Sequence, residues 1–182
     1  MNTLIESRGG AVVRALVVYS SRTGNTKKVG EAIFDTLECD KDFIAIDEVP
    51  EDLSLYDIIF AGFWAFRRGA DDASRHFLSG LHEANVAVFA TAGVYPDSEK
   101  AQLYLDNTVD LIPEDSYVLG AFICQGKVAS FGEKKKHPDL LAAMDPERVK
   151  RLEEAEHHPD EKDLEEARQF ALQMIRLVPE SR

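Results

Sequence analysis

Seven consecutive residues, Ser20, Ser21, Arg22, Thr23, Gly24, Asn25 and Thr26, follow a short apolar run and precede a helical pattern. They offer four hydroxyls, one side-chain amide and a glycine, with a single arginine among them. That set suits a terminal phosphate dianion held by neutral donors: hydroxyl and amide dipoles point inward, and Gly24 lets the backbone approach closely. Behind the loop, Val29, Ala32, Ile33 and Leu37 recur at the spacing of one helix face. The free N–H groups and positive dipole end of that helix would face the same point as the hydroxyls.

Three other phosphate-handling loops fail on residue type. No segment reads G-x-x-x-x-G-K-[ST], as a P-loop requires. A dinucleotide-binding turn needs G-x-G-x-x-G, whereas Gly24 and Gly30 are wrongly spaced for it. A response-regulator receiver needs an acidic cluster after its first strand and an aspartate ending its third. This chain has Ser20 and Ser21 at the first place, and Phe63 and Trp64 at the second.

The loop needs a scaffold, and β and α patterns alternate to supply it. Residues 15–19 form a β-branched run, and 42–49 read as a second strand ended by Pro50. Residues 55–64 are continuously apolar, as in a strand buried on both faces. Residues 85–93 and 116–126 supply the fourth and fifth strands. One helical stripe carries Ala73, Phe77, Leu78 and Leu81. Another carries Ala101, Tyr104, Leu105, Val109 and Ile112, behind a cap at Asp97 or Ser98. A last one carries Leu164, Ala167, Ala171, Met174, Ile175 and Val178, and stops at Pro179. The alternation predicts an α/β fold with a doubly wound, five-stranded parallel sheet and helices on both faces. Such sheets take ligands at the carboxyl ends of their strands, where the seven-residue loop falls. A chain of 182 residues is the right size for one core. The expected organisation is a disordered lead-in at 1–10 and a single domain over 11–182, with a helical insert at about 128–158. That insert, which holds "GEKKKHP" and "DPERVKRLEEAEHH", is too long for a simple connection.

At this point the sequence resembles the flavodoxin family, whose signature is a [ST]-x-T-G-x-T loop after the first strand; Ser21 to Thr26 match it. The resemblance runs from Ala15 to about Lys127 and includes the order of elements. It implies a flavodoxin-like sheet of strand order 2-1-3-4-5 and FMN as the cofactor, with its phosphate in the loop from Ser20 to Thr26. It also implies that the loops after the third and fourth strands sandwich the flavin ring. Those loops place Phe63, Trp64, Ala65 and Phe66 in "GFWAFRRGADD", and Tyr95 in "TAGVYPDS". Thr91, Ala92, Gly93 and Val94 would bond the pyrimidine edge. No catalytic residue is implied, because FMN carries out the redox chemistry itself. The resemblance implies an electron-transfer protein passing electrons to or from a partner redox enzyme. The alternative is an FMN-dependent oxidoreductase, or an accessory subunit acting with a reductase, on a quinone or tetrapyrrole. At subgroup level "RRGADD", "FATAGVYPDS", "FICQGKV" and "HPDEKD" resemble flavodoxin-like accessory proteins of bilirubin reductases in anaerobic bacteria.

Some residues depart from that pattern. Arg67 and Arg68 occupy the loop that should flank the ring, where flavodoxins usually place acids. Cations there favour the anionic reduced flavin or meet an anionic group of a partner or substrate; alternatively they point to solvent, screened by Asp71 and Asp72. Lys127, on the same sheet edge, is a candidate contact for a carboxylate or a flavin carbonyl. Cys124, without a nearby histidine motif, reads as a small buried hydrophobe rather than a nucleophile. Lys134, Lys135 and Lys136 read as a solvated loop or a partner contact. His157 and His158 are adjacent, so they do not share a helix face, and with no third ligand evident no metal is expected.

Composition sets outer limits. A net charge of −12 excludes a nucleic-acid binder and attraction to anionic lipid. No apolar run approaches the ~20 residues that cross a bilayer, and the first residues have no secretory h-region. Two distant cysteines, Cys39 and Cys124, fit a reduced, cytoplasmic protein.

Overall fold

Strands form where the apolar runs are continuous, and helices where apolar residues recur every third or fourth position. The computed structural model describes residues 13–179; the lead-in expected at 1–10 lies outside the described residues. Among the described residues six strands occur: β1 (Arg14–Tyr19), β2 (Asp40–Ala45), β3 (Ile58–Phe66), β4 (Gly69–Ala70), β5 (Asn85–Ala92) and β6 (Tyr117–Gln125). Five of them run parallel in the order β2-β1-β3-β5-β6, while β4 is a two-residue strand antiparallel to the end of β3. Counting the parallel strands alone, this is the expected order 2-1-3-4-5.

Helices α1 (Asn25–Thr36) and α7 (Glu161–Leu177) cover one face of the sheet, and α2 (Asp72–Ser79) and α3 (Glu99–Val109) the other. On the first face, Val17, Phe60 and Phe89 pack against Val29 and Ile33 of α1 and against Ala167, Phe170 and Met174 of α7. On the second, Val18, Phe63 and Val88 meet Leu78, Ala101 and Leu105. Phe60, Phe63 and Phe89 are fully buried, each worth about 1.5–3 kcal/mol relative to exposure. Cys124 lies in the first of these layers.

Several strand boundaries differ from the sequence expectation, most at β2 and β3. β2 ends at Ala45 instead of continuing to 49, because β1, its only partner, ends opposite at Tyr19; the chain then turns through a 3₁₀ segment, Ile46–Glu48. β3 starts at Ile58 and not at 55. Just before it, the Asp57 carboxylate accepts the Arg14 backbone N–H at 2.7 Å, and its carbonyl accepts the Asn85 amide at 2.8 Å. β3 also runs two residues past Trp64, because it folds back onto β4.

Three short helices follow β6: α4 (Ala129–Lys135), α5 (Pro138–Ala142) and α6 (Pro146–Ala155). Asp145 caps α6 by accepting the Arg148 N–H, with Pro146 at its first position. Phe131, Leu152 and Ala155 bury the apolar side of this segment, and Lys135 pairs with Glu156 at 2.7 Å. No helix among the described residues is long and apolar enough to cross a membrane.

Candidate functional site

Helix α1 begins differently from the helices that are capped by side chains. Asp71, Ser98, Asp145 and Asp160 each accept a backbone N–H at the start of α2, α3, α6 and α7. At α1 the cap is Gly24, in the left-handed region at φ 87°, with no side-chain cap hydrogen bond. Its first-turn N–H groups and the positive end of its dipole therefore face the loop without a built-in acceptor. A Cβ at Gly24 would meet nothing within 4 Å, so there is open space beside it. The adjoining Ser21 hydroxyl is buried without a hydrogen-bond partner. Buried polar atoms are rarely left so. An anion with several acceptor oxygens would satisfy both features, and the hydroxyls and backbone N–H groups, beside Arg22, suit a phosphate dianion.

A cleft of about 270 Å³ opens beside this cradle. Arg22 and Thr23 line it from the loop after β1, Asn25 from the start of α1, Trp64, Ala65 and Phe66 from the end of β3, Thr91 and Ala92 from the end of β5, and Gly93 just after it. The Trp64 and Phe66 rings lie 5.2 Å apart at 46°, giving one wall an apolar, aromatic surface. The Arg22 guanidinium lies 5.4 Å from the Trp64 ring centre and that of Arg67 4.9 Å from Phe66. The floor is tied across strands: the Thr26 and Thr91 hydroxyls share a 2.8 Å hydrogen bond, and the Asn25 amide donates to the Lys127 carbonyl at 3.0 Å.

Several expected site residues stand elsewhere. The Ser20 hydroxyl donates to Asp71 at 2.9 Å, supporting the carboxylate that caps α2 and so turning away from the cradle. Thr26 is fully buried and committed to Thr91. Phe63 and Val94 are packed into the core under α2 and α3. Tyr95, 37 % exposed, donates its hydroxyl to Glu154 of α6 at 2.6 Å, and that carboxylate raises the phenol's pKa. Among the described residues the aromatic wall of the cleft is therefore one-sided. Asp71 does not screen Arg67 and Arg68: it is 3 % exposed and spent on Ser20 and Ser74. Burial pushes the Cys124 thiol pKa well up, leaving it protonated and unreactive.

The insert contributes more to the cleft than its sequence suggested. Val128, Ala129 and Ser130 line it, next to Gly126 and Lys127 just after β6. Arg151 of α6 donates its Nε to the Gly93 carbonyl at 3.0 Å. A Cβ at Gly93 would lie 2.3 Å from a Val128 methyl carbon and 3.2 Å from Leu152, so glycine is what lets the insert close onto the β5 loop. Nothing local marks Arg151 or Ser130 as site residues. The length of the insert was the only signal, and it carried no residue assignment. His158 also gains neighbours from the fold: it bonds Asp163, which with Asp160 forms the capping box of α7. Its ring nitrogen and the two carboxylates lie within 4.8 Å of one another, and the carboxylates bond the α7 backbone and His158 itself.

Comparison with known proteins is consistent along the chain. The family model for the flavodoxin domain matches residues 16–172. The flavodoxin-like domain-containing protein BilS of Clostridioides difficile (strain CD3) is 35% identical over 171 residues, covering 90% of this chain and 97% of that protein. Its namesake from Clostridium symbiosum (strain WAL-14163) is 27% identical over 188 residues, covering 87% of this chain and 94% of that protein. The solved flavodoxin of Streptococcus pneumonia TIGR4 aligns over 91% of this chain and 100% of its own at a TM-score of 0.61, with 16% identity, a likeness of fold.

Proposed function

The chain belongs to the flavodoxin-domain family, and from that premise we propose that it binds FMN in this cleft and transfers electrons to or from a partner redox enzyme. The observation that carries the reading is the cradle: an unpartnered buried Ser21 hydroxyl and an uncapped α1, next to an aromatic-walled cleft. FMN, when bound, supplies the one- and two-electron chemistry. The chain's own residues bind and orient. Ser21, Thr23 and the first N–H groups of α1 hold the phosphate, and Gly24 gives the loop its turn. Trp64 and Phe66 present a dry face to the ring, and backbone groups of Thr91, Ala92 and Gly93 meet its polar edge. Val128 to Ser130, held in place through Arg151 and Gly93, limit water at the far side. No proton donor or nucleophile is needed, and buried, protonated Cys124 is not one. Free Cys39 and Cys124 suit a reducing cytoplasm.

Titration of apoprotein tests the reading. FMN should bind far more tightly than riboflavin, since the cradle recognises the phosphate. Thr23→Ala should weaken FMN binding by roughly tenfold, the worth of one charge-assisted hydrogen bond. Equal affinity for FMN and riboflavin would reject it.

A second reading, an FMN-dependent oxidoreductase or accessory subunit acting with a reductase on a quinone or tetrapyrrole, draws on Arg67 and Arg68, which are exposed beside the cleft and able to meet a substrate carboxylate. Steady-state turnover of such a compound, at a rate unchanged by adding a redox protein, would decide for it.

A further inference from the structure

Four cations lie at or near the cleft: Arg22 and Lys127 line it, and Arg67 and Arg68 form the tip of the β3–β4 hairpin, the Arg67 guanidinium 4.9 Å from Phe66 of its wall. All four are exposed. Among the described residues none of them forms an ion pair, although the chain has 33 acidic residues against 21 Lys and Arg. The hairpin that carries two of them is ill-suited to arginine. Ala65 pairs with Ala70 and Phe66 with Gly69, leaving Arg67 and Arg68 as a two-residue turn with φ 46° and 73°. Positive φ at both positions is the geometry that Asn-Gly adopts without strain, and long side chains there are uncommon. Backbone strain of this kind persists only where the surrounding structure enforces it, and it clusters at functional sites. The guanidiniums are also positioned. Arg22, Trp64, Phe66 and Arg67 form a continuous row, with ring and guanidinium spacings of 5.4, 5.2 and 4.9 Å.

We propose that this rim docks the acidic face of a protein partner and so orients the cleft toward it. A small ligand is usually gripped inside a concavity, whereas the two-residue tip is convex and meets an approaching surface. The overall charge of −12 opposes an acidic partner at long range, but charges beyond about 8–10 Å are screened at physiological salt. At contact the nearest charges decide; at the hairpin tip these are Arg67 and Arg68, whereas Lys127 has Glu156 nearby. The inference rests on the electron-transfer reading for its purpose, but its first test needs no flavin.

The chain has one tryptophan, Trp64, so its fluorescence reports the rim directly. In apoprotein at constant ionic strength, the ratio of iodide to caesium quenching constants for Trp64 should exceed that of neutral N-acetyltryptophanamide by at least about twofold, the sign set by local positive potential. The net charge alone predicts a ratio below that reference, and a ratio at or below it would overturn the rim. The double variant R67N/R68G keeps a turn-compatible pair, so it should fold and show a smaller iodide excess, Arg22 still lying 5.4 Å from Trp64; an unchanged excess would count against the proposal. In the second arm, poly-L-glutamate stands in for an acidic protein surface and is titrated against FMN-loaded protein. Binding that weakens with salt and is lost in R67N/R68G supports docking. Absence of binding, or full displacement by citrate at the same carboxylate concentration, overturns it, the latter in favour of a small carboxylate ligand. FMN uptake by R67N/R68G should match that of the parent protein. Normal uptake with failed rim tests would sink the docking alone, while failed uptake by the parent sinks the flavin reading.

Discussion

Ser21 places a hydroxyl where the protein itself offers it nothing to bond. Without ligand that arrangement costs stability, and with a phosphate it gains a charge-assisted hydrogen bond. Ser21→Ala should therefore act with opposite signs. Apoprotein stability in urea unfolding should hold or rise, by up to about 1–2 kcal/mol, while FMN affinity falls roughly tenfold. A fall in both would mean that the hydroxyl is structural. Gly24 tests the other half of the cradle. Its surroundings are open, so Gly24→Val meets no clash; its cost is that of a β-branched residue at φ 87°, about 1–2 kcal/mol or more. Thermal melting should drop modestly and flavin affinity should drop with it. The residue types of this loop were readable in the sequence because hydrogen-bonding capacity is a local property. That Ser20 would leave the cradle was not, since its partner Asp71 is 51 positions away.

Between residue and molecule, two elements carry their own expectations. The β3–β4 hairpin holds two arginines in left-handed backbone. Relieving that strain with R67N/R68G should raise stability by about 1–2 kcal/mol, seen as a higher melting temperature of the apoprotein. A lower one would mean that the Arg67 contact with Phe66 outweighs the turn. The insert is anchored by Leu152 and Arg151 against the Gly93 loop. Leu152 is buried, and Leu152→Ala should cost about 2–4 kcal/mol. Limited proteolysis should then cut first within residues 129–155. The start of α6 at Pro146 was legible in its Asp-Pro signal; α4 and α5, which lack strong apolar periodicity, were not. The hairpin escaped notice because β4 has only two residues, too few for a period to register.

Over the whole molecule, acid residues dominate the response to pH. Hydrogen bonds from Arg14 and then Tyr56 hold the Asp42 carboxyl below its usual range. His82 does the same for Asp115, Lys135 for Glu156, and the backbone N–H of Asp163 for Asp160. Each folded pKa lies below the unfolded value, so the stabilisation is complete above about pH 4–5 and is lost as pH falls through the folded values. Unfolding midpoints in urea should be level near neutrality and decline below about pH 4. Asp42→Asn should flatten part of that decline; because the pair with Arg14 is partly exposed, solvent screening keeps the effect small.

What the sequence determined by itself were the features set by near neighbours. Apolar period placed the five parallel strands and their covering helices, and turn chemistry placed the hydroxyl-rich loop at the mouth of the sheet. Tertiary structure alone decided which candidates face the cleft. Tyr95 turns to Glu154 and Gly93 accepts from Arg151, contacts spanning 59 and 58 positions. Such pairings follow from how the insert packs on the sheet, and no local period or motif encodes that packing.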